Sequence, residues 1–168
     1  MSLFIAIAVI LEAFTIKVSE SLMISLGFIV FAICGYMFGP ISTGIVAALA
    51  DVIGVLLFPK GAFFPGFTLT AFLGGMVYGS LLYKCDITSK KNLITRLSIS
   101  KISVNLILNT VLNTFWLSII IGKSVLVLLG PRIIKNIVLL PIEIFILYIV
   151  FIGIVPVINR MIANKKER

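Results

Sequence analysis

The residues with most chemical potential recur at helical spacing inside an otherwise apolar segment. Lys101, Asn105, Asn109 and Asn113 stand four apart, and Trp116 follows Asn109 by seven. Spacings of four and seven keep side chains near one helix face, with slow drift around it. The pattern predicts a ladder of amides climbing toward an indole. An asparagine amide offers two donors and an acceptor, which suits the edge of a planar heterocycle. An indole stacks on such a ring's face. The competing role for each asparagine is a hydrogen bond that joins two helices. Asn105 is assigned to that role. Asn109 and Asn113, nearer the outer mouth, are assigned to a ligand.

Three acids lie inside apolar runs: Glu12, Asp51 and Glu143. Ionisable groups at that depth are costly and face a cavity or a partner. Asp51 reads as a structural acceptor, and Glu12 and Glu143 as partners for basic residues at the outer ends of helices. A second constellation is the stretch FPKGAFFPG (58–66) with Phe67 and Thr68. Phe63, Phe64 and Phe67 beside Lys60, with Pro65 and the flanking glycines presetting turns, fit an apolar lid. An aromatic belt at the membrane interface is the alternative.

The elements that must position these groups are membrane spans. Of 168 residues, 61% are hydrophobic and 12% charged, and mean hydropathy is +1.26. A soluble domain carries about 25% charged residues. Apolar runs cover roughly 3–16, 22–38, 41–58, 67–83, 99–121 and 136–159. The expected fold is an all-α integral membrane protein, one domain over 1–168, with six transmembrane helices in a compact bundle. The first run reads as a retained helix, since no basic region precedes it. Gly39-Pro40, the 58–66 stretch, the polar residues 84–96 and Gly130-Pro131 are the expected breaks. Gly35 with Gly39, Gly75 with Gly79, and Ala50 with Gly54 are small pairs at four-residue spacing, which permit close helix contact.

Nine basic residues fall on one side of such a bundle: Lys84, Lys90, Lys91, Arg96, Lys101, Arg160, Lys165, Lys166 and Arg168. Five fall on the other: Lys17, Lys60, Lys123, Arg132 and Lys135. The bias places the 84–101 segment and both termini in the cytoplasm. The outer five either snorkel at the interface or form a cationic rim that attracts an anionic solute. In so apolar a chain the net charge of +8 serves topology rather than nucleic acid.

Catalysis is not expected. The chain has no histidine, which removes the usual proton relay and zinc ligand. Gly122-Lys123-Ser124 resembles the end of a phosphate-binding loop, but Leu117 stands where its first glycine belongs. No cofactor or metal is expected.

Several stretches resemble a known family. FFPGFTLTAFLGGMVYG (Phe63 to Gly79), FGP at 38–40, the Ala50-Asp51 pair, LNTFWLS (Leu112 to Ser118) and PRIIKN (Pro131 to Asn136) are similar to the substrate-binding S component of folate-type energy-coupling factor (ECF) vitamin transporters. The resemblance runs from about residue 5 to 160. It implies a high-affinity vitamin-binding subunit, folate first, in a bacterial plasma membrane. It also implies partners: a transmembrane coupling subunit and two cytoplasmic ATPases. The site it suggests takes the heterocycle on Asn109, Asn113 and Trp116. Phe64, Pro65, Phe67 and Thr68 close over it beside Lys60, and Arg132 and Lys135 attract the carboxylates. The competing readings are an S component for another vitamin, and a self-contained secondary transporter of a small organic anion. A secondary transporter is expected to show internal repeats and helices broken at the midplane. Neither is evident here.

Overall fold

A computed structural model describes the chain except residues 20–21, 60–62, 88 and 167–168. Six helices follow one another: α1 (Ser2–Ala13), α2 (Gly27–Phe38), α3 (Pro40–Leu57), α4 (Pro65–Leu82), α5 (Lys90–Ile121) and α6 (Val125–Lys166). The middle of α5, Ser103–Leu112, is wound as a π-helix. A two-stranded antiparallel hairpin, β1 (Ile16–Ser19) and β2 (Leu22–Ile24), joins α1 to α2.

Among the described residues, α3, α4, α5 and α6 are long and apolar enough to cross a membrane. Helices α1 and α2 have 12 residues each and rise only about 18 Å. The expected first run stops at Ala13 rather than 16, and the second starts at Gly27 rather than 22. The hairpin takes the difference. Ile16-Lys17-Val18-Ser19 alternates branched apolar and polar residues, which is a strand pattern rather than a helical one.

Two further boundaries differ. α5 starts at Lys90 because Leu93 and Leu97, four apart and fully buried, extend its inner face. Arg96 Nη1 anchors that turn to the Leu81 carbonyl at 2.9 Å. α6 starts at Val125, so Gly130-Pro131 lies inside it, and it continues through Pro141 and Pro156. Proline removes one backbone bond from a helix. Membrane helices tolerate it because neighbours satisfy the freed groups.

The tightest packing joins α2, α3 and α4 through glycines. A Cβ added to Gly75 would stand 2.5 Å from the Thr43 carbonyl oxygen, and one on Gly35 would stand 2.9 Å from Gly79 N. A Cβ on Gly79 would meet Gly39 and Pro40. Farther along, Thr68 meets Asp51, so α3 and α4 run antiparallel. Between α2 and α3 the chain reverses at Gly39 alone, with φ +80°, a conformation that favours glycine.

The rest of the bundle alternates in direction. Leu108 and Trp116 on α5 face Gly74 and Thr70 on α4, and Asn109 and Asn105 face Arg132 and Asn136 on α6. Phe4 on α1 packs edge-on against Phe38 at the end of α2. Asn159 on α6 donates to the Tyr36 hydroxyl at 3.0 Å. Both termini therefore lie at the same end of the bundle. The strands of the hairpin, Phe58, Phe64 and residues 122–124 lie at the other.

Large aliphatic side chains point outward. Ile41, Ile45, Leu49 and Leu56 on α3 are 45–75% exposed, while its buried face is Thr43, Gly44, Val46, Ala47, Ala50 and Gly54. Small residues inside and aliphatic residues outside suit a lipid surround, where close backbone approach drives association. Leu147, Phe151 and Val155 on α6 supply the bulkier part of the core.

Neighbouring glycines on α4 should respond differently to one methyl group. Gly75→Ala meets rigid backbone and should lower stability by about 1–3 kcal/mol, as overpacking does. Gly74→Ala finds its nearest neighbour, Leu108 Cδ1, at 3.7 Å and should be neutral or mildly stabilising. Thermal unfolding of both variants in detergent checks the contrast. Equal losses would count against the packing described.

Candidate ligand-binding site

A cavity of about 560 Å³ opens among all six helices. Small-molecule sites span roughly 300–1,000 Å³. Its lining reaches Thr15, Ser25, Phe58 and Ile121 at the hairpin end and descends to Tyr78, Lys101 and Glu143. One wall is the polar face of α5, and the facing wall is Arg132, Lys135, Asn136 and Glu143 of α6.

The two walls are tied together where α5 is π-wound. A π turn bonds i to i+5, and such turns are frequent at functional sites. The Asn105 carbonyl accepts from Thr110 Oγ1 at 2.7 Å and from Asn136 Nδ2 at 3.3 Å. Asn136 Nδ2 also lies 2.7 Å from Thr110 Oγ1. Arg132 Nη1 reaches the Asn109 carbonyl and Thr114 Oγ1, both at 3.4 Å. α6 thus satisfies backbone and hydroxyl groups of α5, and these bonds aim Arg132 and Asn136 into the space between.

The amides form the expected ladder, anchored on a charge at its deep end. Asn105 Nδ2 donates to Glu143 Oε2 at 2.6 Å. Asn109 Nδ2 donates to Asn105 Oδ1, and Asn113 Nδ2 to Asn109 Oδ1, each at 3.3 Å. Glu143 Oε2 lies 3.4 Å from Lys101 Nζ, and Lys101 is 2% exposed. The ammonium also sits 3.6 Å from the centre of the Phe28 ring, an attractive cation–π contact. Lys101, expected as a cytoplasmic flank, is instead part of the cavity floor. Glu143 is paired with it, and the outer-end Lys135 also lies within electrostatic reach of the same carboxylate. Asn105 does join helices, through Glu143 and Asn136, and it lines the cavity as well.

Asn109, Asn113, Phe67, Arg132 and Lys135 line the cavity. Phe64, Pro65, Thr68 and Trp116 are not among its lining residues. Trp116 Nε1 donates to Thr70 Oγ1 at 3.2 Å. Its ring packs on Phe64 at 5.6 Å and Phe115 at 5.1 Å. Gly66 leaves room for this, since a Cβ there would come 2.6 Å from both the indole and the Phe64 ring. Phe64 meets Phe67 edge-on at 6.2 Å. Pro65 opens α4, where a missing N–H costs nothing. Thr68 Oγ1 donates to Asp51 Oδ2 at 2.7 Å, so Asp51 is a structural acceptor and also borders the cavity. Lys60 lies outside the described residues.

Buried polar atoms are almost always hydrogen-bonded, and exceptions call for a reason. Among the described residues four buried side-chain atoms have no partner: Thr15 Oγ1, Tyr78 OH, Asn113 Oδ1 and Arg132 Nε. All four belong to residues that line the cavity. Sequence reasoning passed over Asn136, Thr110 and Tyr78. A signal for the first existed: Arg132, Asn136 and Glu143 repeat the spacings of four and seven seen on α5.

Comparison with known proteins agrees with this architecture. Residues 1–151 match the family described as ECF transporter, substrate-specific component. The chain is 39% identical over 148 residues to the folate transporter FolT of Clostridium novyi (strain NT), covering 88% of this chain and 83% of that protein. It is 32% identical over 153 residues to the folate transporter FolT of Leuconostoc mesenteroides, covering 88% and 80%. The crystal structure of FolT bound with folic acid superposes with a TM-score of 0.80 at 36% identity, covering 90% of this chain and 89% of that one.

The tie between α5 and α6 can be measured. Asn136→Ala strips partners from the Asn105 carbonyl and Thr110 Oγ1, and should cost about 1–3 kcal/mol of stability. Thr110→Val should cost less in the Asn136→Ala background than alone, because the two side chains share one network. Additive losses in the double-mutant cycle would show that the π segment is held by something else.

Proposed function

The chain belongs to the family of ECF transporter substrate-specific components, and on that premise we propose that its cavity captures folate for an ATP-driven importer. The carrying observation is that one cavity combines three cations, Lys101, Arg132 and Lys135, with an amide ladder whose end is unsatisfied among the described residues. Folate joins a flat heterocycle, rich in N–H and C=O groups, to an anionic glutamate. Asn109 and Asn113 take the heterocycle's edge, and Phe67 offers an apolar face, backed by Phe64 and Trp116. Pro65 and Thr68 hold the start of α4 in place behind them. Arg132, whose Nε has no protein partner, and Lys135 take the carboxylates. Such charge-assisted bonds are roughly twice as strong as neutral ones.

Direction follows from charge. Setting aside Lys101, Arg132 and Lys135, which belong to the cavity, leaves seven basic residues at the terminal end against two at the hairpin end, among the described residues. The bias favours cytoplasmic termini in a bacterial plasma membrane, with the cavity mouth outside. Energy must then come from partners. The sequence carries no nucleotide-binding motif, and a substrate-specific component is by its family one part of a larger transporter. A transmembrane coupling subunit with two cytoplasmic ATPases completes the machine. The protein binds and delivers; it does not catalyse.

In detergent the isolated chain should bind folic acid with sub-micromolar affinity, read by calorimetry. Asn113→Ala should weaken that binding roughly 5- to 150-fold, the equivalent of about 1–3 kcal/mol. No heat with folic acid, alongside tight binding of another vitamin, would refute the substrate and leave the fold intact. In proteoliposomes the chain alone should bind folate without concentrating it. Uptake driven by a proton or sodium gradient would instead favour a self-contained secondary transporter.

A further inference from the structure

The ladder on α5 has a direction, and one residue outside α5 sets it. An amide can be turned end for end with little change in shape, so a row of asparagines by itself has no preferred sense. Glu143 removes that freedom. Its Oε2 lies within reach of both Lys101 Nζ, at 3.4 Å, and Asn105 Nδ2, at 2.6 Å. A carboxylate paired with an ammonium only accepts hydrogen bonds. Asn105 must therefore give its NH2 to Glu143 and turn Oδ1 toward Asn109. Asn109 answers with Nδ2, and Asn113 answers Asn109 in the same sense, both at 3.3 Å. Each amide gives one N–H to the bond below it and turns its oxygen upward. The last acceptor, Asn113 Oδ1, is left buried and without a partner.

We propose that Glu143 is a positioning residue that determines specificity: by orienting Asn105, Asn109 and Asn113 it makes the open end of the ladder an acceptor. The cavity then selects a ligand that presents an N–H at Asn113 and rejects one that presents a lone pair there. Acceptor facing acceptor is repulsive, which is how a site discriminates against a near-isostere. Lys101 serves the same end. Buried against Phe28, its ammonium lies 3.4 Å from the carboxylate, and bonds in such a chain polarise one another along its length. The choice of probe rests on the folate reading, because folate's heterocycle carries N–H donors. The ladder's direction does not.

The test compares wild type with Glu143→Gln, whose amide keeps the shape but can show Asn105 either an oxygen or an NH2. That change leaves Lys101 buried beside a neutral group, so Lys101→Met/Glu143→Gln, which removes both charges, is measured in parallel. The first readout needs no ligand. With isotope-labelled asparagine in lipid nanodiscs, the Asn113 side-chain NH2 should exchange slowly in wild type and roughly tenfold faster in both variants. Equal exchange in all three proteins overturns the proposal. The second readout is calorimetry with folic acid and with an analogue whose exocyclic amine and ring N–H are both methylated out. Wild type should prefer folic acid by about tenfold or more, and both variants by only about threefold or less. If affinity falls in the variants while the preference is unchanged, Glu143 is a structural bond and nothing more, and the proposal fails. If wild type binds no folic acid, the folate reading falls by itself, and the exchange measurement still decides the direction of the ladder.

Discussion

Polar groups inside a bilayer have no water to fall back on, and each unsatisfied one costs several kcal/mol. The Lys101–Glu143–Asn105 cluster is where that constraint is met, and the rest of the site depends on it. Glu143 brings a charge from α6, Lys101 neutralises it from α5, and Asn105 takes up a remaining lone pair. On the opposite side of Asn105, its carbonyl within the π segment accepts from Thr110 Oγ1 and Asn136 Nδ2. One residue therefore joins the charge pair, the wide turn and the second helix. Moving α6 along α5 would break several of these bonds together, so the position of Arg132 and Lys135 follows from the cluster.

The opposite half of the bundle is built on a different principle. α2, α3 and α4 touch through glycine and threonine, backbone against backbone. Little adjustment is possible there, because a packed interior responds to even one methylene. The cavity lies between this close-packed half and the hydrogen-bonded pair of α5 and α6. The arrangement gives the site one apolar wall of fixed shape, which includes Phe67 and Gly74, and one polar wall that carries the hydrogen-bonding groups.

Much of this was legible in the sequence where the signal was periodic. Four-residue spacing announced both the asparagine ladder and the small-residue contacts, because both depend on which helix face a residue occupies. The parts that were not legible depend on tertiary context. Strand pairing between 16–19 and 22–24 left only a four-residue alternation in the sequence, too short to stand out between two apolar runs. Hydropathy alone cannot say that Pro131 lies within α6, since a proline usually marks a helix boundary. Lys101 counted as a flank because sequence position cannot distinguish a lysine at the membrane surface from one buried under Phe28. Trp116 was read as a stacking platform. Its bond to Thr70 and its contact with Phe64 place it one layer behind the cavity wall, a distinction that side-chain direction makes and residue spacing does not.

That placement has an optical consequence. Trp116 is the chain's one tryptophan. Its indole N–H is held by a buried hydroxyl, and its ring lies against Phe64, which in turn touches the cavity-lining Phe67. Emission from an indole responds to the polarity and mobility of its neighbours, so the unlabelled protein contains its own fluorophore, a ring or two from the cavity. A change in what fills that space reaches the indole through Phe67 and Phe64. The intrinsic emission of this protein is therefore a local report from the cavity's edge rather than an average over the molecule.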